Sequence, residues 1–129
     1  MLDTAAVLTT DAPAPVGPYS QAIRLDGFVF CSGQVGLDPK TGKIVAGGVA
    51  AEARQVLDNL AAVLAAAGLG FDAIVKTTIF LVDINDFAAV NAIYGERVGT
   101  PPPARSTIAV AALPLGARVE IEAIAGAGS

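Results

Sequence analysis

Apolar positions recur along the chain with two different periods, and the changes of period mark its elements. Gln21 to Leu25 and Phe28 to Ser32 are strand-like runs. Between them, Asp26-Gly27 tolerates positive φ and predicts a two-residue type I′ hairpin. The stretch LDPKTGK that follows Ser32-Gly33 carries turn chemistry at Pro39, Thr41 and Gly42. From Val49 to Ala67 the period becomes helical. Val49, Ala53, Val56, Leu60, Val63 and Ala67 form one apolar stripe, with Glu52, Arg54, Gln55, Asp58 and Asn59 largely off it and Gly68 as a stop. Ile74 to Val82 is β-branched and aromatic, hence a strand. Asp83 to Val98 reads as a second helix, with Phe87, Val90, Ile93 or Tyr94, and Arg97 at helical spacing, and Pro101-Pro102-Pro103 forbids its continuation. Arg105 to Val110 and Arg118 to Ala125 are strands joined by a turn around Leu113-Pro114-Leu115-Gly116. The opening, residues 1–18, contains Pro13, Pro15 and Pro18 and reads as an extended arm.

The predicted order is β-β-α-β-α-β-β, an α+β domain with both helices on one face of a mixed sheet. That leaves the other face for something else to cover. Composition sharpens the point. The 129 residues make one domain, 53% hydrophobic and only 16% charged, with mean hydropathy +0.61, where about 25% charged is usual. No apolar run approaches the roughly 20 residues of a spanning helix. A sheet-mediated oligomer accounts for the excess, with no membrane involved.

Charge and absences narrow the chemistry. Eight basic against twelve acidic residues give a net charge of −4, which argues against a nucleic-acid partner. The N-terminus lacks the basic start and apolar core of a secretory signal, and the single Cys31 fits a reducing, cytoplasmic compartment. With no His and one Cys, there is no Ser-His-Asp or Cys-His pair and no ligand set for a structural zinc. Catalysis must rest on Arg, Lys, carboxylates, hydroxyls, backbone groups and water.

Candidate residues each admit a plain alternative. Arg105 follows a rigid triple proline at a strand mouth; it either closes that strand end or recognises a carboxylate bidentately. Glu120 and Glu122, two apart in a strand, share one face with Arg118. They form either a solvated acidic edge or, if buried between subunits, a pair with a raised pKa able to move protons near neutral pH. Tyr19 could orient a polar ligand or pack the arm. At Ser32-Gly33-Gln34, glycine permits close approach of a ligand to the backbone, or the segment is an ordinary turn. Asn91 and Tyr94 lie three apart on the second helix. Lys76 is a possible Schiff-base amine or a strand lysine reaching the sheet edge, and Cys31 reads as a small buried hydrophobe.

Taken together, GPYSQA (17–22), CSGQVGLDPKTG (31–42), EARQVLDNL (52–60), AAGL (66–69), IVKTTIFLVDINDFAAVNAIY (74–94), PARS (103–106) and EIEAIA (120–125) resemble the RidA/YjgF/L-PSP reactive-intermediate deaminases. The resemblance runs from about Ala12 to Ala125. It implies a chorismate-mutase-like fold and a homotrimer with active sites between subunits. The implied activity is cofactor-independent hydrolysis of 2-imino acids to 2-keto acids and ammonia. Carried over by position, Arg105 is the substrate-carboxylate arginine and Glu120 the carboxylate that serves the hydrolytic water. Tyr19, Ser32, Gly33, Asn91 and Thr107 are the remaining pocket positions. Two departures bear on substrate preference: Thr107 stands where relatives often have cysteine, and the spacer GERVGTPP after Tyr94 is short and proline-rich. Three other roles fit the same resemblance: a pathway-specific deaminase, a ribonuclease or translation inhibitor, and a non-catalytic ligand-binding or chaperone-like trimer.

Overall fold

A hairpin forms at Asp26-Gly27, with Leu25 paired to Phe28 across a two-residue turn and Asp26 in the left-handed region at φ 52°. The computed structural model describes residues 2–126. Its elements are β1 (Thr4–Val7), β2 (Ala22–Leu25), β3 (Phe28–Val35), α1 (Gly48–Ala66), β4 (Ile74–Leu81), α2 (Phe87–Arg97), β5 (Ala104–Ala109) and β6 (Val119–Gly126). They build one six-stranded sheet in the order β1-β2-β3-β6-β4-β5, antiparallel except for the β4–β5 pair joined through α2.

Three expectations change. The arm is not all arm: Thr4–Val7 pairs antiparallel with β2 as an edge strand, a register too short and too exposed to show as periodicity. Next, β3 runs on through Ser32-Gly33 to Val35, because a bulge between Cys31 and Gln34 absorbs an extra residue and lets pairing with β6 resume. Finally, the second helix starts late. Asp83 accepts a hydrogen bond from the Asn85 N–H and opens a 3-10 turn over Ile84–Asp86, and the α-helix proper begins at Phe87 and stops at Arg97.

α1 carries the core. All six stripe residues from Val49 to Ala67 are buried. Val56, Leu57, Leu60, Val63 and Leu64 press on the inward residues of the sheet, among them Val29, Ile79, Leu81, Val119 and Ile121. The helix ends in a Schellman motif, with Gly68 N–H donating to Ala65 and Leu69 N–H to Leu64 at 2.9 and 2.8 Å, and Gly68 at φ 79° supplies the required left-handed residue. Two of the polar residues expected off the stripe are buried as well. Asn59 donates to the Val35 and Leu37 carbonyls, and Glu52 accepts from the Arg118 N–H at 2.8 Å. These bonds tie α1 to the loop after β3 and to the entry of β6.

Both helices lie on one face of the sheet. The opposite face carries Phe28, Phe30, Phe80 and Ile108 beside Glu120 and Glu122, and within one chain no element covers it among the described residues. Leu60→Ala removes a fully buried side chain at the centre of α1 and is expected to cost about 2–5 kcal/mol. Urea denaturation of both proteins at equal chain concentration measures it, and a loss under 1 kcal/mol would contradict this account of the core.

Candidate active site

β6 alternates strictly. Val119, Ile121, Ala123 and Ala125 are buried towards the helices, which turns Glu120 and Glu122 to the open face. There Glu120 lines an open cleft of about 420 Å³. Its floor comes from the β3 bulge (Ser32, Gly33, Gln34), and its outer wall from the arm at Pro13, Ala14 and Val16, with Tyr19 and Leu115 at the rim. Burial, and then repulsion by Glu122, hold the Glu120 carboxyl above the ordinary glutamate range.

Local bonds fix this cleft. The Ser32 hydroxyl donates to the Ser20 carbonyl at 2.6 Å and the Ser32 N–H to the Gln21 carbonyl at 3.0 Å, so the GPYS segment is strapped to β3. Tyr19, half exposed, accepts from the Val16 N–H at 3.3 Å and keeps its own O–H to donate. Gln21, read from sequence only as the start of a strand, is fully buried. Its side-chain amide accepts from the Thr9 N–H at 2.8 Å and donates to the Thr9 and Pro13 carbonyls at 3.0 and 2.9 Å. It clasps the arm against the sheet and so holds the cleft wall in place. Nothing in composition or periodicity marks a glutamine for that task.

Arg105 lies elsewhere. On β5 it pairs with Thr77 of β4, a buried residue, and therefore faces the helix side of the sheet. Its Nη1 donates to Asn91 Oδ1 at 2.6 Å. The guanidinium carbon sits 5.1 Å from the Tyr94 ring centre and 5.5 Å from that of Phe87. Phe87, Asn91 and Tyr94 are one stripe of α2 at i, i+4 and i+7, so the helical spacing held a signal for Phe87 that went unread as chemistry. Thr107 is on the same face of β5, two residues on. Its Oγ1 is buried without a hydrogen-bond partner among the described residues.

The expected pocket residues thus fall into two groups, Tyr19, Ser32, Gly33 and Glu120 on the open face and Asn91, Arg105 and Thr107 at the helix-side edge. Counting two strand spacings across and three residues along, the Arg105 and Glu120 backbones are roughly 14 Å apart. Arg118 leaves the acidic face altogether. It precedes β6, and its Nη2 donates to both Asp86 oxygens at 3.1 and 3.0 Å. Lys76 lies exposed on β4, an interior strand, and its side chain points from the open face. Cys31 is buried in the core, its thiol pushed up to about 11 by burial.

Gly33 matters for space. Its backbone is open to any residue, but a Cβ there would collide with Glu120 Oε2 and lie 2.8 Å from Cδ. Because the obstacle is the end of a flexible side chain, Gly33→Ala is expected to fold and to displace the carboxylate. The measurable outcome is at least tenfold loss of any activity that depends on Glu120, with the thermal midpoint lowered by only a few degrees. Full activity in a folded Gly33→Ala protein would show that Glu120 does not work from this position.

Comparison with known proteins agrees with this fold. The family described as Endoribonuclease L-PSP matches residues 9–127. A mouse protein named 2-iminobutanoate/2-iminopropanoate deaminase is 55% identical over 122 residues, covering 95% of this chain and 90% of its own. A solved structure described as a putative endoribonuclease L-PSP from Entamoeba histolytica superposes with TM-score 0.92 at 48% identity, covering 96% of this chain and 99% of that one. A conserved Rid-family protein from Yersinia pestis gives TM-score 0.92 at 50% identity over 95% of this chain and 98% of its own. No helix of the described residues is long and apolar enough to cross a membrane. With a two-helix, mixed-sheet α+β fold shared at this level of identity, the chain belongs to the L-PSP family of RidA-type proteins.

Proposed function

We propose that this protein hydrolyses 2-imino acids to 2-keto acids and ammonia, without a cofactor, in a homotrimer whose active sites lie between subunits. The observation that carries the reading is the pairing of two half-sites in one chain: a half-buried carboxylate in a cleft, and an arginine held in an aromatic slot. A 2-imino acid needs both, and its carboxylate and its reacting carbon are adjacent atoms. Two half-sites on opposite faces of one sheet serve such a substrate only if Arg105 of one copy meets the Glu120 cleft of another. The uncovered face, with Phe28 48% and Phe30 42% exposed, is a surface suited to that contact. The deaminase names of the relatives point to the same chemistry.

The steps follow from the groups. Arg105 pairs with the substrate carboxylate through the N–H groups that Asn91 does not use, and the backbone at Gly33 and Thr107 meets the remaining polar edges. Glu120, ionised, takes a proton from water as the water oxygen bonds to the C=N carbon, and solvent supplies the proton that the imine nitrogen takes up, giving a carbinolamine. Glu120 then gives its proton to the departing nitrogen, the C–N bond breaks, and C=O forms as ammonia leaves and the carbinol O–H proton returns to solvent. A carboxyl held above the ordinary glutamate range by burial and by Glu122 suits both directions of transfer. Tyr19 can donate to a polar edge of the intermediate. We place the protein in the cytoplasm, where its single buried thiol is at no disadvantage. A ribonuclease reading fits the cleft less well, because two carboxylates at its wall repel a phosphodiester.

To test this, an amino-acid oxidase generates imines in the presence of semicarbazide, and trapped product is followed with and without the protein. Wild type is expected to suppress trapping and Arg105→Ala to lose at least a hundredfold in kcat/KM. Unchanged trapping across several imino acids would end the deaminase reading. A pH profile tests Glu120 separately. The working form is the carboxylate, so kcat/KM falls as pH drops through its pKa. Glu122→Gln removes the repulsion and leaves the burial, so the acidic limb should move to lower pH while the plateau is kept. A limb that stays in place would show that Glu120 is not the titrating base.

A further inference from the structure

We propose that Thr77 and Tyr94 act as a pair of positioning residues for Arg105, the hydrogen bond between their hydroxyls fixing the aromatic plane on which the guanidinium rests. The inference depends on Arg105 as the carboxylate site and adds to it the device that aims the arginine.

Thr77 and Tyr94 are almost fully buried, at 1% and 5% exposure, and their hydroxyl oxygens lie 2.7 Å apart. Thr77 is the β4 residue in register with Arg105, and Tyr94 descends from α2 to reach it, so the ring is spanned between helix and sheet beneath the guanidinium. Around the pair the core is apolar, with Val90, Ile93 and Ile79 buried on the same side. A Phe–Val pair would fill nearly the same volume with no hydroxyl to satisfy, and replacing both partners of such a bond by apolar groups is often close to neutral for stability. What the bond adds is orientation. It pins the tilt of the Tyr94 ring to the strand that neighbours Arg105, while Asn91 fixes one guanidinium nitrogen from the preceding turn of α2. The Phe87 ring centre lies 5.5 Å from the guanidinium carbon, and Arg105 still lines an open cleft with Asn91, Tyr94, Gly95 and Pro103, which leaves it accessible to an incoming anion. An arginine held this way meets a carboxylate with its plane already set, and less side-chain freedom is lost on binding.

The test uses the full-length protein and reads the arginine before it reads function. The order of the Arg105 Nε–H group is measured by 15N relaxation, its signal assigned by disappearance in Arg105→Lys. Tyr94→Phe and Thr77→Val should each lower that order, and Thr77→Ser should restore it. The dissociation constant for 2-oxobutanoate, by calorimetry, should rise about three- to tenfold in the first two variants. KM for the imino acid should follow, with kcat within about twofold of wild type. The double variant should be no worse than either single one, since both remove the same bond. Wild-type Arg105 order in Tyr94→Phe and Thr77→Val would overturn the proposal, whatever their melting temperatures. Lowered order with unchanged 2-oxobutanoate binding would uphold the clamp and instead remove the carboxylate from Arg105.

Discussion

Everything at the candidate site depends on the alternation of β6. This strand lies between β3 and β4 and sends Val119, Ile121, Ala123 and Ala125 under the helices. A one-residue slip would bury Glu120 and Glu122 in that core and expose the valine and isoleucine, so the register is fixed by the full hydrophobic weight of α1. Glu52 reinforces it at the entry to the strand, where its buried carboxylate accepts the Arg118 N–H. The carboxylates are therefore placed by the core, and the cleft is assembled around them. The β3 bulge brings a residue without a Cβ against Glu120, and the Gln21 clasp lays the arm across the outside. Raising the pKa of Glu120 needs no special device beyond this, since partial burial and a like charge two residues away suffice.

The same alternation governs Arg105 through β4. Thr77 is inward because Ile79 and Leu81 are, and Arg105 is inward because it is in register with Thr77. An inward arginine at a sheet edge could have been a liability, with a long cationic chain against an apolar helix. Here α2 receives it with two rings and an amide, and the charge is met by π-faces and a carbonyl rather than by hydrocarbon alone. The early end of α2 at Arg97, forced by the proline-rich spacer, leaves the slot bordered by Gly95, Val98, Pro102 and Pro103 rather than by further helix. That geometry links the departure noted in the sequence to the surroundings of the arginine.

Much of this was legible in the chain. Helical and strand periods gave α1, β4 and β6 within a residue or two, because each buries one face continuously. The hairpin was legible because Asp-Gly is a local signal. β1 was not: its four residues are mostly exposed, and what makes them a strand is the β2 edge they pair with. The site residues were named by position in a resemblance, yet their division between two faces follows from register, which no single segment encodes. Arg118 shows the limit. Counted by two from Glu120 it belongs to the acidic face, but it lies outside the strand, where the alternation no longer applies, and Asp86 takes it. Gln21, Thr77 and Phe87 were hidden for a related reason, since each works through a partner distant in sequence.

The division of the site bears on the composition. A chain with 53% hydrophobic residues and one uncovered sheet face carries more apolar surface than its own helices can use. If that face meets other copies, as in the proposed trimer, burying it would also bring different copies' half-sites within reach of one substrate. Folding alone cannot do this, because residues facing opposite sides of one continuous sheet stay on opposite sides however the loops move. Assembly would then be part of the chemistry as well as of stability. The open-face phenylalanines would act on the site without touching substrate, by setting how closely Arg105 of one subunit approaches Glu120 of the next.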